Sequence, residues 1–240
     1  MRHLDLFSGI GGFALAARWV GWETVGFCEI DPYCQKVLRK HWPDVPIHGD
    51  IKDYDGQECD IITGGFPCQP YSHAGKQRGS EDDRALWPEY RRIILRHKPE
   101  WVVGENVVGI INMELDQITT DLADLDYSVD VFIIPACAVN ANHRRDRVWI
   151  VAHANGEGLQ GVENPRVTSS SWTKPPEYLA RLLEREGGMA VSTGKGGGMH
   201  DGVSRRMDRL RGLGNAIVPQ VAEVIFRAID QTGEDNVLDG

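Results

Sequence analysis

The sequence predicts an α/β fold, a Rossmann-like sheet wound on both faces by helices. Three observations carry this. Strand and helix signals alternate through the first two thirds of the chain. A glycine-rich turn joins the first strand to the first helix, and a carboxylate ends the next strand about 20 residues later. Residues able to do chemistry fall at the ends of strands, where open α/β sheets place their ligands.

The apolar run at residues 4–7 reads as the first strand, and residues 13–19 as the helix after it. Between them Ser8-Gly9-Ile10-Gly11-Gly12 lets the backbone turn sharply and approach a ligand at the helix N-terminus. An ordinary tight turn would also carry such glycines. Glu29 supplies a second half, because it ends the strand at 23–28, where a nucleotide-binding unit puts the carboxylate that grips ribose hydroxyls. Asp31-Pro32 opens the second helix, with Asp as N-cap and Pro at the first position. Tyr33, Val37 and His41 mark one face of that helix, with Cys34 and Leu38 beside it.

Residues 59–63 form the next strand and lead through Gly64-Gly65-Phe66 into Pro67-Cys68-Gln69. A thiol at the carboxyl end of a strand stands where a nucleophile is expected, although a lone cysteine is more often buried and inert. A helix at 86–97 and a strand at 100–104 follow, the strand ending in Glu105-Asn106. Then come a helix at about 115–125 and strands at 128–134 and 147–152. Order breaks down from Asn155 to about Val203, where Gly, Ser, Thr and Pro dominate and one helix, about 177–186, interrupts. Asn215 reads as the cap of a final helix on which Val221, Ile225 and Ala228 recur at helical spacing.

At 240 residues the chain can bury one good core. No apolar run is long enough to span a membrane, and Met1 to Asp5 leads directly into a strand, so no signal peptide is expected. Five cysteines without a Cys-x-x-Cys pair argue against a disulfide framework or a zinc site and suit a reducing cytoplasm. A net charge of −9 disfavours nucleic acid as a partner for the chain as a whole. Arginines nevertheless cluster at Arg144, Arg145 and Arg147, and at Arg205, Arg206, Arg209 and Arg211, while residues 230–240 carry acids and no Lys or Arg. This reads as a basic cleft on an acidic body. For the second cluster, scattered surface charge competes with that reading.

Phe7-x-Gly9-x-Gly11, Gly65-Phe66-Pro67-Cys68-Gln69, Glu105-Asn106-Val107, Arg145-x-Arg147 and Gly214-Asn215 stand in one order. In that order the chain resembles DNA cytosine-5 methyltransferases, over about residues 3–153 and 208–229. The spelling His143-Arg144-Arg145-Asp146-Arg147 is similar to the short enzymes of phages and prophages. The resemblance implies a catalytic and cofactor-binding domain at 1–153 and a short target-recognition region at 154–207. A helix at 208–231 then returns to the first domain, ahead of an acidic tail at 232–240. About 50 residues is marginal for an independent core, so the recognition region would lean on the catalytic domain, a second subunit or DNA.

The resemblance also implies S-adenosyl-L-methionine as cofactor, no metal, double-stranded DNA as partner and a flipped-out target base. A cognate restriction endonuclease accompanies some such enzymes. Cys68 is implied as the nucleophile that adds to C6 of cytosine, and Glu105 as the acid at ring N3, its pKa raised by burial. Arg145 and Arg147, alternating on a strand, would share a face, orient the base and lower the pKa of the thiol. Phe7, Gly9 and Gly11 would floor the cofactor pocket. Glu29 would hold ribose, Ile30 would lie against adenine with Asp50 or Ile51 at its edge, and Leu86 and Asn215 would close the methionine side. For Asp50 and Leu86 a capping or core role competes equally. Residues 69–83 resemble the loop that closes over the base, with Gln69, Ser72, Lys76 and Arg78 as DNA contacts. Arg205, Arg206 and Arg209 would add contacts from the recognition side.

Two departures from the family pattern stand out. Asn142-His143 replaces the Pro-Gln that many relatives carry, and Ile30 is smaller than the aromatic platform often found. Two other readings share the motifs: methylation of tRNA by the same chemistry, and a catalytically silent DNA-binding relative.

Overall fold

A computed structural model describes residues 1–67, 86–139, 141, 145–155 and 216–238. Within them the chain forms one seven-stranded sheet in the order β3-β2-β1-β4-β5-β7-β6. The strands are β1 Arg2–Leu6, β2 Glu23–Cys28, β3 Ile47–His48, β4 Ile61–Gly64, β5 Trp101–Val107, β6 Tyr127–Pro135 and β7 Asp146–Ala154. The helices are α1 Gly12–Trp19, α2 Pro32–His41, α3 Trp87–His97, α4 Leu115–Asp124 and α5 Pro219–Leu238. Strands β1 to β5 run parallel, and β7 is antiparallel to both β5 and β6. From β1 the chain first winds outward through β2 and β3, then returns to the other side of β1 through β4. The reversal opens a crevice at the carboxyl ends of β1 and β4, where such sheets bind ligands.

Burial on both faces suits β1 to an interior position: Leu4 and Leu6 point to one side, His3 and Asp5 to the other, and all four are fully buried. The face toward α1 and α5 is packed with Phe13, Trp22, Trp149 and Phe226, and Trp22 stacks on Phe226 at 4.5 Å. Toward α3 and α4 the filling is Tyr90, Ile93, Ile94, Ile118 and Leu122. On α2, Asp31 accepts from the Tyr33 and Cys34 amides and Pro32 takes the first turn, as the sequence indicates. Its buried residues are Cys34 and Leu38, beside the face that Tyr33, Val37 and His41 mark. Trp42, at the end of that helix, packs with Leu38 and Phe27.

Two other boundaries differ from the sequence reading. Strand β5 continues past Gly104 to Val107, because β7 inserts beside it and pairs Glu105 with Trp149 and Val107 with Arg147. Helix α5 starts at Pro219, so its cap is not Asn215, and it runs beyond residue 231 to Leu238. Val221, Ile225 and Phe226 are all at most 2% exposed. Burying such a side chain contributes roughly 1.5–3 kcal/mol, so packing sets where α5 docks. The recognition region, including the helix expected at 177–186, lies outside the described residues beyond Asn155. No described helix is long and apolar enough to cross a membrane.

Candidate active site

At the end of β1 the backbone enters the left-handed region at Phe7 (φ +54°), Gly9 (φ +54°) and Gly11 (φ +85°). Glycine takes this conformation freely; for Phe7 it is strained, and such strain clusters where a fold serves a ligand. Ser8 stitches the turn down, donating from Oγ to the Asp5 carbonyl (2.6 Å) and from its amide to the Cys28 carbonyl (3.1 Å). A Cβ on Gly11 would lie 2.7 Å from the Trp42 ring, and one on Gly12 would lie 2.6 Å from Ile217. Both glycines are thus also demanded by packing.

Glu29 ties this turn to the start of α2. One carboxylate oxygen accepts the Gly9 amide at 2.6 Å, the other the Asp31 amide at 2.7 Å. Burial raises its pKa while these amides pull it back down. Beside it, Ile30 is 68% exposed, an apolar side chain held out at the crevice. The N-cap residue of α1, Gly11, makes no side-chain cap hydrogen bond, and the buried Asp5 carboxyl accepts from the Ala14 amide in the first turn of that helix. A glycine turn in left-handed backbone, a carboxylate fixed beside it and an exposed apolar platform fit an amino-acid nucleoside such as S-adenosyl-L-methionine. Asp50 caps the short turn at Ile51–Asp53 by accepting the Lys52 amide at 3.0 Å. The Ile51 side chain is in the core, 4% exposed, so only its backbone is available to a ligand. Leu86 is half-buried at the N-cap of α3 and packs against the core on that side.

The second half of the site sits at the ends of β4 and β5. Glu105 is 7% exposed and lies within the β5–β7 pairing, two residues short of the strand end. Its Oε1 is 3.0 Å from Arg147 Nε. A Cβ on Gly65 would sit 3.5 Å from its Oε2, so the other oxygen faces the chain three residues before Cys68. Burial pushes the Glu105 carboxyl up to about 7, against the opposing pull of Arg147 and Arg145. Near neutral pH it therefore exists in both forms, the condition for an effective proton donor. Asn106, on the opposite sheet face, donates from Nδ2 to the Phe66 carbonyl at 2.9 Å and accepts the Val107 amide.

Arg145 departs from the expected alternation. It precedes β7 with φ +38° and donates from Nη2 to the Ala216 carbonyl at 2.8 Å. It reaches Glu105 through its charge and the C-terminal return through a hydrogen bond, while Arg147 forms the ion pair with Glu105. Cys68, Gln69, Ser72, Lys76, Arg78, Arg205, Arg206, Arg209 and Asn215 lie outside the described residues. Sequence reasoning passed over Ser8, Ile217 and the carbonyl-gripping role of Asn106. Asn106 was legible as the neighbour of Glu105. Ile217 carried no local signal, since its partner Gly12 is remote in the chain.

The family model for C-5 cytosine-specific DNA methylases matches residues 1–194. Type II methyltransferase M.HgiBI of Herpetosiphon aurantiacus is 34% identical over 178 residues, covering 70% of this chain and 41% of that protein. Type II methyltransferase M.HhaI of Haemophilus parahaemolyticus is 33% identical over 174 residues, covering 69% of this chain and 53% of that one. Among solved structures, a putative DNA modification methyltransferase encoded within an E. coli prophage superposes with a TM-score of 0.55 at 25% identity. That match covers 64% of this chain and 47% of the prophage protein. The chain thus spans about half the length, or less, of these curated relatives. On the family match and the site it falls in, the chain belongs to the C-5 cytosine-specific DNA methylase family.

Proposed function

We propose that the chain methylates C5 of a flipped-out cytosine in duplex DNA, using S-adenosyl-L-methionine, through covalent addition of Cys68 to C6. The observation that carries this is Glu105: a buried carboxyl with a pKa near 7, paired with Arg147 and facing the chain that leads to Cys68. Cytosine C5 is too weak a nucleophile to take a methyl group unaided. Addition of the Cys68 thiolate to C6 pushes an electron pair into the ring, and C5 becomes enamine-like. Protonated Glu105 donates to N3 and drains charge from the ring as sulfur adds. Arg147 keeps that carboxyl from rising beyond the useful range. The cofactor, when bound, supplies an electrophilic methyl group. Loss of the C5 proton to solvent then forms the C5–C6 double bond and expels the thiolate, and N3 returns its proton to Glu105.

Phe7, Gly9, Gly11 and Glu29 would hold the cofactor, with Ile30 against adenine and the Asp50–Ile51 backbone at its edge. Leu86 and Asn215 would close the far side. Gln69, Ser72, Lys76 and Arg78, with Arg205, Arg206 and Arg209 from a recognition region at 154–207, would contact DNA. Such a protein would act in the cytoplasm, alone or beside a cognate restriction endonuclease.

Bisulfite sequencing of DNA from cells expressing the wild type or Cys68→Ala tests the reading. Cytosines protected only by the wild type support it and give the sequence context. Protection that survives Cys68→Ala, or none from soluble wild type with bound cofactor, sinks it.

A further inference from the structure

On the α3 and α4 face of the sheet, four aromatic rings lie beneath the carboxyl ends of β1 and β4. Tyr90, fully buried, occupies the middle. Its ring meets Phe7 edge-on at 6.0 Å on one side and Phe66 at 5.9 Å on the other. Trp87 closes the group, 5.6 Å from Phe66 and 5.7 Å from Tyr90. Its indole N–H donates to Asp121 Oδ2 of α4 at 2.7 Å. The Tyr90 hydroxyl points to the Ile62 and Val103 carbonyls of β4 and β5, at 3.4 and 3.3 Å. Gly64 lets the ring approach, since a Cβ there would lie 3.0 Å from Tyr90 Cε1. One immobilised ring therefore touches both the strained residue at the cofactor turn and the residue two before Cys68.

We propose that Tyr90 is a positioning residue that couples the cofactor half of the site to the nucleophile half. Protein interiors are close-packed and barely compressible. A ligand seated against Phe7 must hold that ring in one place, Tyr90 transmits the restraint, and Phe66 is held with its carbonyl on Asn106. Coupling of this kind is reciprocal: a change at Phe66 must alter affinity at the cofactor side. The inference rests on the cofactor assignment made above and goes beyond it, since neither Tyr90 nor Phe66 is among the residues assigned to the cofactor.

Calorimetric titration of the full chain with S-adenosyl-L-methionine tests it without methyl transfer. In the wild-type background, Phe66→Leu should weaken binding about two- to tenfold, the scale of one lost aromatic edge contact. In a Tyr90→Leu background the same substitution should change affinity little, and Tyr90→Phe should restore the sensitivity. Ile93→Val, fully buried on the same helix, controls for softening of the core and should leave affinity unchanged. Equal loss with and without the Tyr90 ring, no effect of Phe66→Leu, or an equal effect of Ile93→Val would each overturn the coupling. A folded wild type that takes up no cofactor would instead overturn the cofactor assignment, and this inference with it.

Discussion

The two halves of the site are built by different means. Around β1 and β2 the working parts are backbone: left-handed residues at Phe7, Gly9 and Gly11, and a carboxylate held by two amides. Around β5 and β7 they are side chains whose charge is set by burial and by a partner across the sheet. The first half is local in sequence, since Gly9 and Glu29 belong to one βαβ unit. In the second, Glu105 meets Arg147 only because an antiparallel strand inserts between β5 and β6. A site can thus take shape from its turns and electrostatics from its pairing, and a change of charge at Glu105 that leaves the Phe66–Tyr90–Phe7 packing intact need not touch the cofactor side.

The sharpest way to break that separation is Glu105→Gln. Loss of a general acid should lower the rate of methyl transfer about 100-fold or more, while cofactor affinity measured by titration stays at the wild-type value. Equal losses in both would mean that the charge of Glu105, and not only the packing through Tyr90, links the two halves.

The charge-based half should also announce itself in stability against pH. A carboxyl raised from its ordinary range to about 7 holds its proton longer in the folded state than in the unfolded one. Its stabilising contribution is therefore fully present below about 4.5 and is lost as pH rises through about 7. Chemical denaturation from pH 4 to 8 should show the wild type losing up to about 3 kcal/mol relative to Glu105→Gln across that window. Parallel curves for the two proteins would remove the electrostatic account of Glu105.

The backbone-based half gives a smaller and more graded result. Gly11→Ala combines a left-handed conformation with a clash on Trp42 and should cost about 2–3 kcal/mol in denaturant unfolding. Gly9→Ala has the same backbone penalty with nothing within 4 Å of the new Cβ and should cost about 1 kcal/mol. If the two variants are equally unstable, packing against Trp42 is not what fixes the turn.

Much of the first half was legible in the chain. Strand β2 falls on residues 23–28 as expected, Asp31 caps α2, and Glu29 lands beside the glycine turn. Each depends on a residue and its near neighbours, because φ, a cap or a tight turn is decided within a few bonds. The residues that α2 buries, Cys34 and Leu38, depend on packing against other elements, where Leu38 meets Ala14 and Phe27. Arg145 was read as a strand residue, yet it precedes β7 with a positive φ and donates to Ala216 of the returning C-terminal segment.

Sequence alone determined the alternation of elements, the glycine turn after β1, and the residue types proposed above for the chemistry. Only the tertiary structure decided that Glu105 sits inside a strand pair, that Arg147 is its ion-pair partner, and that Tyr90 bridges Phe7 and Phe66. The physical reason is range: backbone preferences act over a few residues, whereas burial and cross-strand pairing depend on which distant segments share one core.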